Sequence, residues 1–92
     1  MKVRVTHRAL KDIEEAAHWY AAINKDLRDA LKTSLKEAIG LIGKYPLAGR
    51  SLRGNYRRVH LKRFPYSLTY AIDDETIFVL KLTHHKREEN LP

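Results

Sequence analysis

Residues 56–85 constrain the fold of this 92-residue chain more tightly than any other stretch. Three runs rich in β-branched and aromatic residues follow one another, beginning at Tyr56, Tyr66 and Thr76. The breaks between them are only Phe64-Pro65 and Asp73-Asp74-Glu75. Strands joined by so few residues are antiparallel neighbours, because a parallel crossover needs roughly a dozen residues or more. The stretch therefore predicts a three-stranded meander.

Side chains alternate across a strand, so each run assigns its residues to two faces. In the first, Val59 and Leu61 oppose Arg58, His60 and Lys62. In the second, Leu68, Tyr70 and Ile72 oppose Ser67, Thr69 and Ala71. In the third, strict alternation sets Phe78, Leu80 and Leu82 against Ile77, Val79, Lys81 and Thr83. One sheet face is then built from large apolar groups. The other carries Arg58, His60, Lys62, Ser67, Thr69 and Lys81. A solvated face is the ordinary reading of such residues, but three strands agreeing on one basic surface make an anionic partner an equal reading.

The chain before the meander supplies what covers the apolar face. Residues 2–5 form a short strand, with Val3 and Val5 on one side, and Thr6 offers a hydroxyl to cap the helix that follows. From residue 8 to about 22, Leu10, Ile13, Ala17 and Tyr20 make an apolar stripe widened by Ala9 and Ala16. Trp19 lies off that stripe; packing under a flank or loop is its first reading and contact with a partner its second. Asn24-Lys25-Asp26 interrupts the pattern. A second helix, from about 27 to 44, turns Leu27, Leu31, Leu35, Ala38 and Ile42 inward, with Ile39 and Leu41 beside them. So short a joint makes the two helices an antiparallel hairpin. Pro46 stops the second helix, and 47–54 reads as a loop.

The expected fold class is α+β: a two-layer domain over 1–92 in which the helical hairpin packs on one antiparallel sheet, in the order β-α-α-β-β-β. The first strand joins an edge of the meander, beside the last strand. There is no cysteine, which removes disulfides and thiolate chemistry and suits a reducing compartment. No run is long and apolar enough for a membrane span, and no signal-peptide core opens the chain, so the cytoplasm is the expected location. The formal net charge is +7. Arg50, Arg53, Arg57, Arg58, Lys62 and Arg63 crowd into one segment without an acidic residue, as a surface for nucleic acid, a nucleic-acid enzyme or an acidic protein would require.

Other chemistry finds little support. His60, His84 and His85 hint at a metal, but adjacent strand residues face opposite sides and no carboxylate has ligand spacing beside them. No metal or cofactor is expected. A stand-alone nucleic-acid-binding module fits the basic segment, yet no recognition helix or stacked-aromatic platform is legible on the open face.

An ordered set of residues resembles the RelE/ParE superfamily of type II toxin–antitoxin toxins. It runs through Ala9, Asp12-Ile13 and Trp19-Tyr20, then Pro46 and Gly49. Arg57-Arg58-Val59, Phe64-Pro65-Tyr66, Tyr70, Val79-Leu80, His84 and Arg87 complete it. The resemblance implies a small toxin held inactive in a hetero-oligomer with a cognate antitoxin. It implies one of two targets: DNA gyrase, as for ParE, or mRNA on the ribosome, as for RelE. For RelE-type cleavage it places the catalytic basic groups at Arg58 and His60, at Ser67, near His85 and near Leu91, with His84 a further acid–base candidate. Ser67 and Leu91 depart from that pattern, since neither supplies a guanidinium or an exchangeable phenol proton. The expected reading is therefore ParE-like. Target contact falls to Arg57, Arg58, His60, Lys62, Arg63, Lys81, His85, Lys86 and Arg87, with the segment from His84 an exposed, mobile tail. Antitoxin contact falls to Trp19, Arg50, Arg53 and Arg58.

Overall fold

Thr6 joins three elements at one point. Its Oγ1 accepts the Ala9 N–H at 3.2 Å, its hydroxyl donates to the Leu80 carbonyl at 3.3 Å and its own N–H donates to the Val79 carbonyl at 3.0 Å. The computed structural model describes residues 1–86. Strand β1 spans Lys2–Val5, helix α1 His7–Ile23 and helix α2 Lys25–Lys44. Strands β2 (Arg50–Ser51), β3 (Tyr56–His60), β4 (Tyr66–Asp73) and β5 (Thr76–His84) follow. The five strands form one sheet in the order β1-β5-β4-β3-β2. The expected two-layer α+β arrangement is present.

Two details differ from the expected sheet. β1 does lie beside β5, but parallel to it, so the sheet is mixed rather than wholly antiparallel. The segment read as a loop contributes the two-residue strand β2, paired antiparallel to β3. The interruption between the helices also contracts to one residue. Asn24 is extended, its N–H donates to the Tyr20 carbonyl at 2.8 Å, and its Oδ1 accepts the Asp26 N–H at 2.7 Å. One side chain with a short polar oxygen thus ends α1 and starts α2.

The helices meet the sheet mainly through small and branched groups. Ala9, Ala16 and Ala17 of α1 and Leu31, Leu35, Ala38 and Ile42 of α2 bury against Leu61, Phe64, Leu68, Tyr70, Ile77, Val79 and Leu82. Each fully buried Leu or Ile contributes about 1.5–3 kcal/mol relative to exposure. Three residues placed on the apolar stripes prove exposed instead: Leu10, Leu27 and Leu41 at 48%, 37% and 42%. The alanines bring α1 close to the sheet, and Leu10 one position on turns to the outer groove between the helices. Leu41 turns to the sheet margin beside Val59 and His60.

The largest departure lies in β5. Tyr70 pairs with Val79 but Thr69 pairs with Lys81, so Leu80 and Lys81 together oppose one residue. Such a bulge reverses which side later residues face. Ile77 and Val79 are the buried residues before it and Leu82 the buried residue after it. Phe78, opposite Ala71, and Leu80 therefore leave the covered face on which strict alternation placed them. Asp12 of α1 accepts the Leu82 N–H at 3.1 Å just past the bulge, where β1 no longer runs alongside.

Tyr70 fixes the loop after α2. Its hydroxyl donates to the Pro46 carbonyl at 2.7 Å and accepts the Gly49 N–H at 2.9 Å, in a side chain that is fully buried. Arg57 adds a donor from Nη1 to the Gly49 carbonyl at 2.8 Å. A Cβ on Gly49 would fall 2.6 Å from the Tyr70 oxygen and 2.8 Å from the Arg58 carbonyl oxygen, so only glycine fits there. Tyr70→Phe leaves the Gly49 N–H and Pro46 carbonyl without this partner, and we expect a loss of about 1–3 kcal/mol. Gly49→Ala should cost at least as much. Urea unfolding followed by circular dichroism checks both, and wild-type midpoints would show that the loop is not anchored here.

Candidate functional site

The sheet face away from the helices is built in cross-strand rows. In one, Arg50 pairs with Arg58, Arg58 with Thr69 and Thr69 with Lys81, so three cations cross four strands around one small hydroxyl. Directly opposed side chains sit about 4.5–5.5 Å apart at Cβ, and like charges so placed oppose folding. Arg50 against Arg58 is such a pair. A sheet that keeps it carries a local positive field suited to an anionic partner.

The adjacent row is His60, Ser67 and Thr83. His60 Nδ1 lies 2.6 Å from Ser67 Oγ, and Ser67 is completely buried. The His85 ring stands edge-on to His60, with centroids 4.8 Å apart. The His85 N–H donates to the Pro65 carbonyl at 2.9 Å, and its Nε2 is buried with no hydrogen-bond partner among the described residues. His85 is thus packed down, not part of an exposed mobile tail. Ser67 has no exposed surface, which puts its hydroxyl out of reach of a substrate as a nucleophile.

A third row pairs Tyr56 with Ala71 and Ala71 with Phe78, and Arg4 of β1 lies beside Phe78. Tyr56 is 45% exposed. This aromatic row is the feature that the sequence reading missed. The signal was the run Ile77-Phe78-Val79-Leu80, in which both alternating sets are large and apolar, so alternation alone does not decide which set faces the core.

The other expected site residues distribute unevenly. Arg57 faces the helix side, where its guanidinium binds the Leu47 and Gly49 carbonyls. His84 is also on that side, its ring 5.1 Å from Tyr66, so His60 and His85 meet without it. Lys62 and Arg63 are exposed in the β3–β4 connection, where Ser34 of α2 donates to the Lys62 carbonyl at 2.8 Å. Arg63 holds a left-handed φ of 72°. Arg53 is exposed between β2 and β3, and Lys86 is exposed after β5. Trp19 is 64% exposed rather than packed under a flank or loop. Arg87 and Leu91 lie outside the described residues. Among the described residues no group of three or more His, Cys, Asp or Glu side chains is placed to hold a metal, and no helix is long and apolar enough to cross a membrane.

Comparison with known proteins follows the same lines. The family described as "ParE toxin of type II toxin-antitoxin system, parDE" matches residues 3–89. No curated protein matches the sequence significantly. Among solved structures, the chain is similar to one from the chromosomal ParDE system of P. aeruginosa, with a TM-score of 0.76 and 20% identity over 91% of this chain and 95% of that one. It is similar to a chain of the intact E. coli RelBE toxin–antitoxin complex, with a TM-score of 0.58 and 24% identity over 90% and 94%. The isolated E. coli RelE toxin gives a TM-score of 0.57 and 25% identity over 90% and 82%. The family match spans nearly the whole chain, and this protein belongs to the ParE toxin family of type II toxin–antitoxin systems.

Proposed function

We propose that this ParE-type toxin acts by binding DNA gyrase and that a cognate antitoxin neutralises it. The Arg50–Arg58–Thr69–Lys81 row carries the reading. It sets fixed positive charge across the open face of a chain whose formal net charge is +7, which steers association toward an enzyme–DNA complex. Binding, not catalysis, is favoured by the neighbouring row. Ser67 occupies the position where the RelE resemblance expects an arginine, and it is buried against His60. A hydroxyl in that state offers no guanidinium to a developing phosphorane charge.

An antitoxin that covers this surface would carry acidic residues toward Arg50, Arg53 and Arg58. Trp19, broad and exposed on α1, suits an apolar anchor at the periphery of the same complex. The RelBE similarity is to a toxin solved with its antitoxin, which agrees with a hetero-oligomer as the resting form. The second reading, ribosome-dependent mRNA cleavage, draws on one observation, the His60–His85 ring pair beside basic Arg58. Imidazole is the commonest general acid and base in enzymes, so such a pair offers groups of the kind that cleavage would use.

Purified toxin should inhibit gyrase supercoiling or trap cleaved DNA. The double reversal Arg58→Glu with Lys81→Glu should raise the half-inhibitory concentration at least about tenfold, equivalent to about 1.4 kcal/mol. Normal supercoiling at large toxin excess, in a protein that still kills cells, would remove gyrase as the target. Ribosomes programmed with defined codons should show no codon-specific cuts. Cuts that disappear in His60→Ala would establish cleavage instead. Trp19 is the chain's sole tryptophan, so its fluorescence reports directly on antitoxin docking. We expect a blue shift on complex formation and weaker binding by Trp19→Ala; unchanged emission in a formed complex would place the antitoxin elsewhere.

A further inference from the structure

The bulge in β5 leaves a recess on the open face, beyond the histidine row. Leu52, Tyr56 and Leu80 wall a cavity of about 360 Å³, at the small end of the range that ligand sites occupy. Arg8 of α1, Arg53 of the β2–β3 connection and Lys81 of β5 stand around it, and no carboxylate lines it. The floor is Thr69. That residue is 6% exposed, and its Oγ1 meets no hydrogen-bond partner among the described residues.

We propose that this recess holds the base of one unpaired nucleotide in a nucleic-acid strand, with the flanking phosphates on Arg8, Arg53 and Lys81. The proposal goes beyond the gyrase reading and does not depend on it. Three observations select a nucleotide over an apolar side chain of an acidic protein. The first is the Thr69 hydroxyl. It is buried without a hydrogen bond among the described residues, and an apolar anchor would leave it so, whereas a base edge offers both a donor and an acceptor. The second is the exposed Tyr56 ring at the wall, a face on which any base stacks. The third is the placement of the cations on three separate elements around one opening. A single carboxylate engages one of them, while a phosphodiester chain entering and leaving the recess engages all three. The adjoining Arg58 and Arg50 continue the positive track toward the sheet edge for the next phosphates.

A strand is favoured over a duplex by the same geometry. The recess accepts one base and lies on a sheet surface, where a paired and stacked base cannot enter without leaving its helix. Every base has a π-face, so the site should discriminate strandedness more than sequence.

Fluorescence anisotropy with the full-length protein tests this without gyrase or ribosomes present. The probes are a labelled eight-nucleotide single strand, the same sequence as duplex, a nucleoside monophosphate as competitor, and an acidic peptide carrying one leucine as competitor. We expect the single strand to bind at least about tenfold tighter than the duplex, and Thr69→Val and Tyr56→Ala each to weaken it about five- to tenfold, within the range that stacked bases contribute. Tyr56→Phe keeps the ring and should bind as wild type. Thermal melts of each variant separate a lost site from a lost fold, and amide shifts of Leu52 and Leu80 on adding strand to the wild type locate the ligand whatever the variants do. Equal binding of strand and duplex, unmoved by Thr69→Val and Tyr56→Ala, would reduce the effect to general electrostatics and overturn the proposal. So would competition by the peptide but not by unlabelled strand. A monophosphate that binds as tightly as the strand would overturn the strand assignment in favour of a free nucleotide.

Discussion

The pairing of Leu80 and Lys81 against the single residue Thr69 determines what each face of this sheet can do. Before it, Ile77 and Val79 fill the interface with the helices; after it, Leu82 resumes that role. Without the extra residue, alternation would continue and Leu82 could not share a face with Val79. The irregularity lets β5 stay buried along its length while lifting Leu80 and Lys81 together onto the open side. Thr6 reinforces it from the other edge, because its N–H and hydroxyl hold the Val79 and Leu80 carbonyls where the ladder is disturbed. The open face thus receives an apolar wall and a cation from one local distortion.

The covered side is held by different means. Small residues on α1 let the helix approach, and Tyr70 reaches through the sheet margin to tie the Pro46–Gly49 loop. Arg57 serves the same loop from the helix side, while its neighbour Arg58 belongs to the row across the open face of the sheet. Consecutive cations in a strand therefore perform unlike tasks, divided by the pleat.

Much of this was legible in the residues. The short breaks at Phe64-Pro65 and at Asp73-Asp74-Glu75 forced the meander, and the stripe through Leu31, Leu35, Ala38 and Ile42 placed α2. The faces of β4 followed from alternation, since Leu68 and Tyr70 join the core while the extra residue of the bulge lies in β5. What failed was the same rule applied to β5, because a sequence records spacing along one strand and a bulge is a property of two. The parallel direction of β1 was hidden for a similar reason, as it depends on where the helical hairpin returns the chain. Trp19 was misplaced because a large apolar residue off the core stripe has no sequence signature that separates packing from exposure. The basic face itself was readable, while its division into cationic, histidine and aromatic rows needed the register.

Asp12 bears on how the molecule keeps itself from aggregating. β1 covers β5 only as far as Val79, so the rest of that strand is an edge whose amides would template another chain. The Asp12 carboxylate takes the Leu82 N–H, a donor on the edge beyond the covered stretch. Any intruding strand must break a charge-assisted hydrogen bond before it can form a neutral one. Arg8, 3.6 Å from the same carboxylate, adds to that barrier and keeps a cation at the threshold. A single acidic side chain on a helix thereby acts as a gatekeeper for the sheet, discouraging edge-to-edge pairing of a small, strongly basic protein where β1 leaves β5 uncovered.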